Sequence, residues 1–310
     1  MAISRSMAVY ENFGDLLDVR LSKIYYEKIK ERIEKSMAPM LFRNQPVGAV
    51  PDYRVSGLGG FSDLQDFDGA ISYDAPSQLY DTVCTFPEKA LGFKIERKLY
   101  DDNQFGKIDP KAIGMATAVA RTDEKMAVTI FNESFTSTNA SGQSGGDGAA
   151  LCSSSHPYSP DDSTVLDNAG STAFSPAAVE ATRLIGMTDI LTDRGELADV
   201  NYDMIIIPPA LEEDAWEIIN SKGKVDTANN NANFHYGRYK LAVWARLTSS
   251  TCWWMADSEL LNEHFFKCIR VAPEFEMDRD FDTKVAKWSV YQRISYNYGE
   301  WRAVYGHLVS

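Results

Sequence analysis

Residues 99–134 read LYDDNQFGKIDPKAIGMATAVARTDEKMAVTIFNES. Asp109 followed by Pro110 has the form of a helix start, an N-cap carboxylate ahead of a proline at the first helical position. Ile113, Ala116, Ala120, Ala127 and Phe131 then fall on one face. The spacing predicts a helix from Pro110 to about Ser134, ~37 Å long at 1.5 Å per residue. In a chain of 310 residues such a helix is an architectural strut. It runs out into a Gly/Ser-rich stretch from Thr136 to Gly148, read as a flexible loop.

On the N-terminal side the chain reads as appendages. From Glu11 to Lys35, Leu17, Leu21, Ile24, Ile29 and Ile33 recur at roughly helical spacing between charges, the pattern of a helical arm. Arg20, Lys23, Lys28, Lys30, Arg32 and Lys35 make it the most basic part of the chain. That charge fits either a solvated face or a helix docking on an acidic neighbour. Ala38 to Gly60 lacks a regular pattern, broken by Pro39, Pro46 and Pro51, and Gly57, Gly59 and Gly60 read as a hinge. Phe61 to Asn103 reads as a long extended excursion with strands at Ala70–Asp74, Leu79–Phe86 and Phe93–Tyr100. These strands carry too little hydrophobic face for a core of their own, which suits a ribbon lying across a neighbouring subunit.

On the C-terminal side an α/β unit is followed by strands. Ser175-Pro176 caps a helix to about Leu191, and Asp193-Arg194-Gly195 is a turn. Met204 to Ile207 is a short buried strand stopped by Pro208-Pro209. Leu211 to Asn220 is amphipathic, with Trp216 and Ile219 on one side, and Asn229 to Asn233 is a polar loop. Leu241–Leu247, Cys252–Met255 and the long alternating run Lys284–Tyr298 are strands, and Gly299 turns the last into Trp301–His307. There is no internal repeat.

Composition excludes several functions. The 31 basic and 44 acidic residues leave a net charge of −13, the wrong sign for a protein that grips nucleic acid by counterion release. With 44% hydrophobic and 12% aromatic residues the chain has a full core. No stretch has the roughly 20 apolar residues of a membrane span, and the start lacks the apolar region of a secretory signal. Cys84, Cys152, Cys252 and Cys268 contain no C-x-x-C, so they read as free thiols.

The chemical signals are weak. Cys152 and His156, with Asp147 or Asp161 as orienter, form the best nucleophile–base candidate, a cysteine hydrolase, but no nucleophile elbow follows and the flanks are Gly and Pro loops. His156, His235, His264 and His307 are isolated from one another, so no metal is expected. Glu212-Glu213-Asp214 suits the first turn of a helix. Glu274, Glu276, Asp278, Asp280 and Asp282 alternate without EF-hand spacing. Trp253-Trp254 reads as core or interface. No catalytic, cofactor or metal residue is assigned.

The order of parts carries more than any motif. Leu99-Tyr-Asp-Asp102 with Phe105-Gly106 enters the long helix. Asp147-Gly148, Leu151-Cys-Ser and Ser155-His156-Pro157 follow it, Ile205 to Leu211 steps from strand to helix, and Asp278-Arg-Asp-Phe281 begins the return. Over residues 60–310 this order resembles the major capsid proteins of tailed bacteriophages with the Hong Kong 97-type fold, most of all the Mu-type major head subunits.

The resemblance implies an α+β fold with an N-terminal arm (1–60), an extended loop (61–103), a peripheral domain (104–174 and 261–310) built on the long spine helix, and an axial domain (175–260). The Asn229–Asn233 loop would lie near a capsomer centre. It implies a non-enzymatic subunit, without cofactor, that forms the hexamers and pentamers of an icosahedral shell around double-stranded DNA in a virion assembled in the bacterial cytoplasm. Its partners would be further copies of itself, a portal, and separate scaffolding, decoration or minor capsid proteins, with no membrane. The expectation is an uncleaved chain. An acidic wall would enclose DNA without binding it specifically. An encapsulin-like nanocompartment shell shares the fold and is the alternative. Some relatives join a loop Lys to an Asn. Lys89, Lys94 or Lys98 would supply the amine, but the Asn position is Asp280 here, so no isopeptide crosslink is expected.

Overall fold

The computed structural model describes residues 3–64, 66–67, 69, 71, 73–96, 98–99, 102, 105–136, 145–160, 162–223, 231–280 and 285–310, with side chains from residue 19 onward except those of 105 and 279. The long helix is its axis. It spans Phe105–Asn132 as α3, 28 residues or ~42 Å, with α1 (Ile3–Glu34) and the single turn α2 (Ala38–Leu41) preceding it in sequence. It begins before the expected Asp109-Pro110 start. Ile108 is fully buried and Asp109 takes Arg20 of α1 at 2.6 Å instead of capping. Pro110 sits inside the helix, where it forfeits the bond to the Gly106 carbonyl.

α3 lies against a four-stranded sheet in the order β1-β11-β12-β4, formed by Arg43–Pro46, Phe265–Arg279, Ala286–Tyr298 and Glu88–Ile95. β1 runs parallel to β11, and the other pairs are antiparallel. Leu21, Tyr25 and Ile29 of α1 pack with Ala112, Met115, Ala116 and Val119 of α3 and with Phe275, Trp288 and Val290 of the sheet. Tyr25 stacks on Phe275 at 4.6 Å. The described part of the arm therefore has a core within its own chain. The segment 38–60, expected to be irregular, contains α2, β1 and β2 (Asp52–Leu58), and the first two dock on this body.

The expected strand over Phe93–Tyr100 lies earlier, as β4, and is bonded to β12 along its whole length. The ribbon proper is β2 paired with β3 (Gln78–Thr85). It rests on the body through Cys84, Phe86, Phe266 and Cys268. Residues 71, 73 and 74, expected in a strand, belong to none.

The second layer is a five-stranded sheet in the order β7-β13-β10-β8-β9: Ala169–Gly170, Val304–His307, Trp253–Ala256, Met204–Ile207 and Lys240–Val243. The hairpin β5 (His156–Ser159) and β6 (Asp162–Leu166) leads into it. Helices α4 (Pro176–Thr188, capped by Ser175 as expected), α5 (Glu212–Asn220) and α6 (Ser258–His264, capped by Asp257) complete the chain. Asn168, fully buried, pins the layers by donating to the carbonyls of Leu151 at 2.8 Å and Val304 at 2.9 Å. Trp253 and Trp254 are core. On α5 the buried stripe is Ala215, Ile218 and Ile219, and Trp216, expected beside Ile219, is exposed.

Candidate functional site: the assembly surface

The most conspicuous surface feature is a run of exposed apolar side chains from the end of β2 into the loop that joins it to β3. Leu58, Phe61, Leu64, Phe67, Ile71 and Tyr73 are all largely exposed, Leu64 at 101% and Tyr73 at 92%. Scattered apolar residues on a surface need no explanation, but six within sixteen residues on one loop mark a contact surface.

The base of that loop is held from the other layer. Glycine at 59 permits close approach, since a Cβ there would meet Asp193 Oδ2 at 2.5 Å. The Gly60 N–H donates to Asp193 Oδ1 at 3.1 Å, and Arg194 donates to the Gly60 carbonyl at 3.3 Å and the Ala75 carbonyl at 3.2 Å. Across the loop, Ser62 donates through its N–H and hydroxyl to Asp74 at 2.8 and 2.9 Å. The same two bonds hold the Asp74 carboxyl below its usual range. Sequence reading recognised 193–195 only as a turn. The turn was legible in Asp193-Arg194-Gly195; its partner more than a hundred residues away was not.

The Cys152–His156 candidate comes apart. Asp147 does orient His156, with Oδ2 2.6 Å from Nδ1, and the ring stacks on Trp301 at 4.1 Å. His156 is fully buried, however, and Cys152 packs against the backbone of Gly306 in the core. Burial pushes the Cys152 thiol up, away from thiolate. The arrangement orders a loop and offers no nucleophile. Asp161 lies outside the described residues.

The arm's charge is largely paired within the chain: Lys28 and Lys35 reach Glu31 at 2.7 and 2.8 Å, and Arg20 reaches Asp109. That is the solvated-face arrangement. Lys94 and Lys98 are exposed on or beside β4, Lys89 is half-buried, and Asp280 takes Lys287 at 3.0 Å. Glu212, Glu213 and Asp214 occupy the first turn of α5, as read. Glu274, Glu276 and Asp278 face outward along β11, and among the described residues no cluster able to hold a metal ion occurs. Asn233 donates to the carbonyls of Ile218 and Ser221 at 2.6 and 2.8 Å, fastening the end of its loop, while residues 229–230 lie outside the described set. No helix among the described residues is long and apolar enough to cross a membrane.

A strut helix, a pinned two-layer body and an uncovered apolar loop coincide with a family match. The model of the family described as phage capsid protein matches residues 80–306. The chain belongs to the phage capsid protein family. It is a major capsid protein, with the Hong Kong 97-type fold expected from the order of its parts. Among solved structures, this capsid subunit is similar to the asymmetric unit of the bacteriophage PhiM1 mature capsid, with a TM-score of 0.55, 8% identity and coverage of 89% of this chain and 87% of that chain. It is similar also to structures from Microbacterium phage Oxtober96 (TM-score 0.52, 10% identity, 89% and 91% covered) and Mycobacterium phage Cain (0.51, 11%, 89% and 90%). At such identities the likeness is one of fold. A search of curated proteins found no match. Family membership makes the capsid subunit a structural protein of the virion shell.

Proposed function

We propose that this subunit assembles into hexamers and pentamers that close an icosahedral shell around double-stranded DNA. The apolar row from Leu58 to Tyr73 carries the reading, because no described residue covers it and an exposed apolar row of this kind marks a surface that a partner buries. The division into arm (1–60), extended loop (61–103), peripheral domain (104–174 and 261–310) and axial domain (175–260) belongs to this proposal. In it the loop lies over a neighbour and the axial unit, with its Asn229–Asn233 loop, faces the capsomer centre. A net charge of −13 lets packaged DNA slide along the wall without adhering. Assembly takes place in the host cytoplasm with a portal and separate scaffolding, decoration or minor capsid proteins, and the subunit performs no catalysis.

The native mass of the purified particle, by light scattering with negative-stain microscopy, tests the proposal. Megadalton icosahedra containing DNA support it. Icosahedra packed with a cargo protein instead would assign the shell to a cellular nanocompartment. A species of one to four chains that persists at high concentration would overturn self-assembly.

A further inference from the structure

Two thiols from distant parts of the chain meet where the ribbon rests on the body. Cys84, near the end of β3, and Cys268, in β11, are 184 residues apart in sequence, and their Sγ atoms lie 3.3 Å apart. Both are completely buried, in a thin cluster with Phe86 and Phe266. Cys268 donates its S–H to Cys84 Sγ, and Asn297 Nδ2 donates to the same sulfur at 3.6 Å while also holding the Val83 carbonyl at 3.3 Å. The bond from Cys268, seconded by that from Asn297, holds the Cys84 thiol below its ordinary value, and the same contact pushes Cys268 up. One member of the pair is thus set as nucleophile and the other as hydrogen donor. The remaining cysteines differ: Cys152 packs on Gly306, and Cys252 donates to the Val309 carbonyl at 3.8 Å.

We propose that Cys84 and Cys268 are a redox pair that closes into a disulfide and staples the ribbon to the β11–β12 hairpin. A disulfide needs its sulfurs about 2.05 Å apart. The approach required is roughly 1.3 Å. With hydrogen peroxide as oxidant, the Cys84 thiolate attacks one peroxide oxygen and the O–O bond breaks, giving a sulfenic acid and hydroxide. That hydroxide takes the Cys268 proton and becomes water. The Cys268 thiolate then attacks the Cys84 sulfur and expels the second oxygen as hydroxide, which leaves as water with the proton first lost from Cys84. The two thiols are oxidised by two electrons in all, and one peroxide is reduced to two waters. In a reducing compartment the pair stays open; it closes on passage to an oxidising one. The link ties the ribbon to the sheet and constrains the unfolded chain. The inference rests on one chain's geometry and holds whatever the chain assembles into.

The test treats reduced, desalted full-length protein with hydrogen peroxide, then denatures it, blocks free thiols with iodoacetamide and maps peptides by mass spectrometry. The expected result is a Cys84–Cys268 peptide pair two hydrogens lighter than the free thiols, reversed by dithiothreitol, with Cys152 and Cys252 alkylated. The same oxidation in denaturant should lose that selectivity and favour Cys252–Cys268, the closest pair in sequence. Oxidised protein should also melt higher than reduced protein. Full alkylation of Cys84 and Cys268 after oxidation, their recovery as unlinked sulfinic or sulfonic acids, or pairing of either with Cys152 or Cys252 in the native protein would overturn the redox pair. A melting temperature unchanged or lowered by the link would overturn the staple.

Discussion

His307 carries its proton on one nitrogen. Thr182 gives its hydroxyl hydrogen to the Ala178 carbonyl and so accepts from Nε2 at 2.8 Å, while Nδ1 accepts the Thr172 N–H at 3.3 Å. The ring is stacked on Trp253 at 4.0 Å and buried, and burial lowers its pKa from 6.5 to about 4. Between those values the unfolded chain binds a proton that the folded chain refuses. This residue's contribution to stability is therefore complete above about pH 6.5 and falls as pH drops towards 4, by up to about 3 kcal/mol. Melting curves from about pH 7 to about pH 4 should show a shallower slope for His307→Gln than for the unaltered protein; equal slopes would place the effect elsewhere. At the base of the loop between β2 and β3, Asp193→Ala removes the acceptor for the Gly60 N–H. Hydrogen exchange at residues 59–62 should quicken about tenfold, from the loss of about 1–2 kcal/mol of charged hydrogen bonding, with little change in global melting.

Among the elements, α1 invites the most direct test. Leu21→Ala should destabilise the unassembled subunit by about 2–5 kcal/mol in denaturant titrations, since its side chain is fully buried against the same chain. A change near zero would mean the arm is held only by neighbours. The elements also show where sequence reading succeeds. Ser175-Pro176, Met204–Ile207 and the run ending at Tyr298 were legible because each carries its own cap, hydrophobic run or alternation. β11 was missed because Glu274, Glu276 and Asp278 drew attention as ion ligands. Their alternation is the outward half of a strand whose inward half includes Phe275 and Met277. β1 and β2 were illegible for another reason: what orders them is pairing with β11 and β3, information no local window contains. The spine's first turn was misplaced because Asp109 serves a distant arginine, and a carboxylate used that way looks like a cap.

For the whole molecule, the exposed apolar row separates folding from assembly. Leu64→Lys combined with Tyr73→Asp should leave the subunit's melting within about 0.5 kcal/mol of its original stability, since neither side chain is packed, yet strongly reduce particle yield in size-exclusion chromatography. Intact yield would remove the row from assembly. Because an aspartate occupies position 280 and is engaged by Lys287, boiled particles should run on a denaturing gel as 34.6 kDa monomers. A ladder of covalent multimers would contradict this.

The sheet order β1-β11-β12-β4 has a bearing on timing. Its two flanking strands are translated early, while the central hairpin they pair with emerges from the ribosome last of the four. Until then β4 has no strand partner and the ribbon has no bed beneath Cys84 and Phe86. Pairings this distant in sequence close slowly. A chain truncated before β11 thus lacks Phe266 and Cys268, on which the ribbon rests. In this topology the chain's early strands are completed by its late ones, so the bed of the ribbon is the last part of that sheet to be made.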